Sequence, residues 1–91
     1  MSVHELKSKG WKAELVEITQ RQLEEYFVAY REQRPEKGSA TEDRGAVVRA
    51  AAKTGWLKGD WDVDNLPPAQ VRWLAAIIDD AYAQATAIPP E

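Results

Sequence analysis

Residues 10–30 read GWKAELVEITQRQLEEYFVAY, and the apolar period changes inside this stretch. Trp11, Ala13 and Leu15 alternate with Lys12 and Glu14, the two-residue period of a strand with one buried face. From Leu23 the spacing lengthens. Leu23, Tyr26, Phe27 and Tyr30 recur at helical intervals, with Arg21, Glu24, Glu25 and Arg31 on the other side. Thr19 stands at the junction with Gln22 three residues on, the reciprocal pair of a capping box, and Ile18 is placed to staple onto Leu23. Strand and helix meet here at a capped boundary, which predicts an α+β domain.

Upstream, Lys7-Ser8-Lys9-Gly10 reads as a turn, because Gly10 can take a positive φ without a Cβ clash. Val3–Leu6 can then pair with Trp11–Val16 as an N-terminal β-hairpin. The alternative for residues 1–18 is an irregular extended arm. Two strands alone are marginal and need a helical layer on one face.

Downstream, the first helix spans residues 20–33 and is ended by Pro35, which lacks a donor and restricts its predecessor. Glu36-Lys37-Gly38 is a linker. Ser39 with Glu42 forms a second capping box, with Thr41 competing for the cap, and opens a helix over residues 40–54. Its apolar stripe is Val47, Val48, Ala51 and Ala52, and Gly55 fits the position after its last turn. Gly45 costs about 1 kcal/mol relative to alanine inside a helix, so either this helix starts late or another element approaches closely there. Residues 55–66 form a tryptophan-rich acidic loop, expected to fold back on the core because Trp56 and Trp61 bring more apolar area than a free loop tolerates. The last helix covers residues 67–86, with Asp64 or Asn65 as cap and Pro68 in the first turn. Val71, Leu74, Ile77, Ile78, Ala81 and Ala85 make its apolar face, widened by Trp73 and Tyr82, and Ile88-Pro89-Pro90-Glu91 is a non-helical tail. The expected core is Leu23, Phe27, Val48, Ala51, Leu74, Ile77 and Ala81. The prediction is thus a hairpin or arm packed on a mainly helical, three-helix domain.

At 91 residues, 44% hydrophobic and 30% charged, the chain is sized for one small domain. It has no cysteine and a single histidine, His4, which excludes disulfides, thiolate chemistry and a multi-histidine metal site within one subunit. Residues 1–58 hold 11 basic and 9 acidic residues, whereas residues 59–91 hold Arg72 against six carboxylates. That acidic third is either a solvated surface or a docking face for a basic partner. Residues 2–12 lack the apolar run of a signal peptide, and Val71–Ala87 is broken by Arg72, Asp79, Asp80 and Gln84. No membrane association and a cytoplasmic location are the expectations.

Few residues make chemistry. Asp60-x-Asp62-x-Asp64 opens like a calcium loop, but Asn65 and Val71 occupy the positions that need glycine and glutamate. A metal- or ligand-binding module on Asp60–Asp64 is one alternative reading. Asp79 and Asp80 are neighbours on one helix and cannot face each other across a substrate. They read as a solvated face or as partners of Arg49 or Arg72. His4, Ser2 and Ser8 fit no nucleophile pattern, and Gly55, Lys58 and Gly59 form no phosphate loop. Arg44, Arg49, Lys53 and Lys58 on or just after the second helix give a nucleic-acid-binding regulator as a further alternative. The long connection to an acidic last helix disfavours it. No catalytic residue, cofactor or metal is expected, so the chain reads as non-enzymatic. The eight aromatic rings exceed what one small core centres. Half-exposed tryptophan and tyrosine anchor interfaces, which nominates Trp56, Trp61, Trp73 and Tyr82 for a contact with another protein or a second copy. Trp61 is the preferred anchor, and Trp73 is half core.

Two segments, RAAAKTGWLKG and WDVDNLPPAQVRWLAAIID, together with the opening GWKAELVEITQRQLEEYFVAY, resemble small structural-module proteins of tailed phages and prophages, the tail-assembly-chaperone-like group. The resemblance implies a non-enzymatic helper that engages a tail protein during assembly. It carries across no catalytic residue.

Overall fold

A computed structural model describes residues 2–34 and 38–89. The period-2 segment forms a hairpin: β1 (Ser2–Leu6) pairs antiparallel with β2 (Trp11–Leu15), from Ser2 opposite Leu15 to Leu6 opposite Trp11. A 3-10 turn, Lys7–Lys9, joins the strands and ends on Gly10 at φ 69°, where a side chain would be strained. Ala13 and Leu15 are buried and Trp11 is partly so, the alternation read from the sequence. The hairpin is the expected one, not an irregular arm.

Both capping boxes are present. Thr19 opens α1 (Gln20–Gln33) and exchanges bonds with Gln22, and Ser39 opens α2 (Ala40–Lys53) and exchanges them with Glu42. Each box satisfies two of the donors that a helix start leaves unpaired. Arg34, in extended conformation, follows α1. Pro35 and the Glu36-Lys37 part of the linker, on which the sequence reading placed the break, lie outside the described residues. Helix α2 closes through Thr54 and then Gly55 at φ 81°, one residue short of the expected end.

Helix α2 is the centre of the fold, with α1 and α3 (Pro68–Thr86) each packed along it. Gly45, Ala46, Val47, Val48, Ala50 and Ala51 are all buried, a wider buried arc than the stripe of four predicted. Short side chains let two helices approach one axis from different sides. Gly45 has neither expected cause: the helix starts at Ala40, and the atoms nearest its vacant Cβ position belong to Arg49 of the same helix, with Nη1 3.1 Å away. The glycine makes room for a guanidinium lying back along its own helix, the direction helical side chains favour.

The tryptophan-rich stretch folds back as predicted, and does so by hydrogen bonding. Val16 N–H donates to the Trp56 carbonyl at 3.0 Å, Lys58 N–H to that of Glu14 at 2.9 Å, and Leu57 N–H to that of Ala51 at 3.0 Å. Residues 56–58 thus occupy the outer edge of β2 and tie it to the end of α2. A short 3-10 turn, Val63–Asn65, then leads to α3. Neither Asp64 nor Asn65 caps that helix. Pro67 is the cap residue, without a side-chain bond, and its carbonyl accepts from Gln70 and Val71. Pro68 has no amide hydrogen, so fewer donors need a cap. Asp64 and Asn65 are engaged elsewhere, with Arg49 and Asp62.

Val48, Ala51, Leu74 and Ile77 are buried as expected, while Leu23, Phe27 and Ala81 are only partly buried against the core. Helix α1 lies at the flank and commits its Tyr26–Ala29 face to the interior, which leaves Leu23 and Phe27 on the margin. Ala13, Leu15, Trp56, Leu57 and Val63 take the remaining core volume. Leu74 is 0% exposed, so Leu74→Ala is expected to cost about 2–5 kcal/mol. In urea denaturation the midpoint falls with little change of slope, whereas Ile88→Ala, at a residue 92% exposed, leaves the midpoint in place.

Candidate functional site

The aromatic side chains separate into a buried chain and a set of half-exposed rings. Trp56, 2% exposed, meets Tyr26 edge-on at 5.1 Å. Tyr26 meets Phe27 at 5.2 Å and stacks beside Tyr30 at 6.3 Å, and Phe27 meets Tyr82 at 5.6 Å. Trp56 is therefore a core residue and not part of a surface patch. The strap that bonds β2 to the end of α2 carries its ring into the interior. Tyr82 is 39% exposed at the outer end of the chain. Trp73 on α3 is half-buried against Trp11 of the hairpin, with centroids 5.8 Å apart. Trp61 is also half-buried, and its indole N–H donates to the Lys58 carbonyl at 3.0 Å. Among the described residues no ring contact joins Trp61, Trp73 and Tyr82 to one another.

Where α1, α2 and α3 meet, polar groups gather. The Tyr30 hydroxyl donates to Asp43, Arg34 Nε lies 3.3 Å from the same carboxylate, and the Arg34 guanidinium sits 5.9 Å from the Tyr30 ring centroid. Burial, and after it the negative charge of Asp79, pushes the Tyr26 hydroxyl far above its usual range. Tyr30 is raised chiefly because it donates to Asp43. Asp79, an exposed residue, is raised by partial desolvation and then by repulsion from Asp43. Both tyrosines are held protonated, which does not suit general bases, and Tyr30 uses its proton as a donor to Asp43.

The acidic loop does not converge. Asp62 accepts from Asn65 and Asp64 from Arg49, and no group of three metal-ligating side chains occurs among the described residues. Asp80 accepts from Gln84 at 3.0 Å. Asp79 and Asp80 are both exposed, the solvated-face alternative, and among the described residues neither pairs with Arg72 or with Arg49, which binds Asp64. The basic residues nominated for nucleic acid are divided too: Lys53 pairs with Glu32 and Lys58 with Glu14, each at 3.6 Å.

The sequence reading missed a concavity beside α2 and α3. It measures about 660 Å³ and lies between the first half of α2, the Val63–Asn65 turn and the start of α3. Val63, Leu66 and Val71 give it apolar lining, and Arg44, Arg49, Arg72, Glu42 and Asp64 line it as well. The one sequence signal was Gly45 four residues before Arg49, a helical spacing that makes a glycine space for a guanidinium.

No family model, curated protein or solved structure matches the chain. No described helix is long and apolar enough to cross a membrane.

Two titrations follow. The unfolded-state tyrosine pKa is about 10, and the folded value of Tyr26 is higher. Its stabilising contribution is fully present below pH 10 and is lost as pH rises towards the folded value, because only the unfolded chain releases the proton. Stability measured by denaturant from pH 9 upward is expected to fall less steeply in Tyr26→Phe than in the parent. Asp79 has the opposite consequence at neutral pH, since a raised carboxyl pKa means that its ionised form is disfavoured in the fold. Asp79→Asn is expected to raise the melting temperature at pH 7, and the gain to vanish below the unfolded carboxyl pKa of about 4.

Proposed function

We propose that this chain is a non-enzymatic, cytoplasmic protein-interaction domain, an assembly helper of the kind implied by its resemblance to phage tail-assembly proteins. The observation that carries the reading is the surplus of rings. After Trp56 and Tyr26 have filled the interior, Trp61, Trp73 and Tyr82 still reach the surface. Each is braced, Trp61 by its bond to the Lys58 carbonyl, Trp73 by Trp11 and Tyr82 by Phe27. A ring whose position is already fixed loses little side-chain entropy on binding, which is what an interface anchor needs. The raised tyrosines and dispersed carboxylates supply no acid–base pair, and this favours the interaction reading over a catalytic one.

The test is capture of tail-module proteins from the native host on immobilised protein, with Trp61→Ala and Tyr82→Ala compared after circular dichroism has established folding. Loss of a central anchor costs about 2 kcal/mol or more, so a folded variant is expected to release a partner that the parent retains. Parent protein that stays monomeric and captures nothing, or folded variants that capture as the parent does, would end the proposal.

A further inference from the structure

We propose that the cleft between α2 and α3 is the seat for an acidic, aliphatic peptide segment of a partner protein. This rests on the interaction reading above, but on different residues, so the two can fail separately. The cleft offers an apolar lining of Val63, Leu66 and Val71, on which aliphatic side chains can be desolvated. Of its three arginines, Arg49 is committed to Asp64. Arg44 and Arg72 have no carboxylate within 4.0 Å among the described residues. They stand on different helices, α2 and α3, and both line the cleft, while the Glu42 carboxylate there accepts from Ser39 at the start of α2. The guanidinium is the cation best matched to a carboxylate, through two parallel N–H donors.

Arg49 completes the arrangement. One of its nitrogens serves Asp64, while its plane lies over Gly45, whose missing Cβ leaves the space. Charge decides the class of occupant. A basic peptide would bring like charge against Arg44 and Arg72. A duplex nucleic acid needs a broad basic face, and Glu42 and Asp64 interrupt this one. A single strand needs aromatic stacking, and among the described residues the cleft has no aromatic lining.

The test uses the whole chain and a fluorescent, capped peptide of alternating glutamate and leucine, followed by anisotropy. Binding is expected, weakening as salt rises. It should fall at least about tenfold in the double variant Arg44→Glu/Arg72→Glu. Arg21→Glu/Arg31→Glu makes the same change of net charge on the exposed side of α1 and is expected to bind as the parent does. Trp61→Ala is also expected to leave peptide binding intact, which separates this site from the aromatic anchors. The proposal is overturned if the peptide does not bind at millimolar concentration, if a lysine–leucine peptide binds equally, or if the two double variants weaken binding alike. Displacement of the peptide by equimolar inorganic phosphate overturns it too, since the cleft would then be a simple anion site. Partner capture lost in Trp61→Ala, together with failure of the peptide, would leave the interaction reading standing without the cleft.

Discussion

The narrowness of α2 is the constraint on which the rest of the structure depends. A helix flanked by two others must be slim over much of its circumference, and Gly45, Ala46, Ala50 and Ala51 provide that. Their short side chains bring less apolar area per residue than leucine would. The deficit is made up by what packs around them: Leu74 and Ile78 from α3, Tyr26 from α1, and Trp56 and Leu57 from the strap. Large residues surround a small-residue axis, so the core is filled from its periphery inward. Enlarging a buried alanine here would overpack the core.

The second dependency is the strap. A two-stranded hairpin has too little surface to hold itself to a helical layer, and here residues 56–58 bind it by main-chain bonds on one side while Leu57 bonds Ala51 on the other. The same three residues place Trp56 in the interior and start the loop that holds Trp61. Core, hairpin and one surface ring are therefore positioned by a single short segment.

Local signals in the sequence were read reliably because their physics is local. Two capping boxes, the Gly10 turn, the Gly55 helix end and the period change at Thr19 each involve residues within a few positions of one another. Apart from Gly45, whose space is taken by Arg49 four positions on, and Asn65, held by Asp62 three positions before, what was not legible depends on partners distant in sequence. Trp56 and Trp61 look alike in a string, yet only Trp56 lies on the strap, and its pairing with β2 across the whole α1–α2 unit decides its burial. Asp64 looked like a cap because it precedes a helix, but Arg49, fifteen positions earlier, claims it. The pairing of arginines in the cleft was hidden for the same reason. Arg44 and Arg72 belong to different helices, and no spacing rule connects them.

The strap also sets an order of events. The bond from Val16 to Trp56 closes a loop that contains all of α1 and α2, whereas the hairpin and each helix close over short separations. Loop-closure entropy rises with the length of free chain enclosed. That closure is least unfavourable once the two helices have condensed and shortened the path between its ends. Nucleation by the α1–α2 pair, with the hairpin consolidating late as it docks, is the route this topology favours. The last bonds to form are then the first to open, and the sheet side of the molecule is where native-state fluctuations begin.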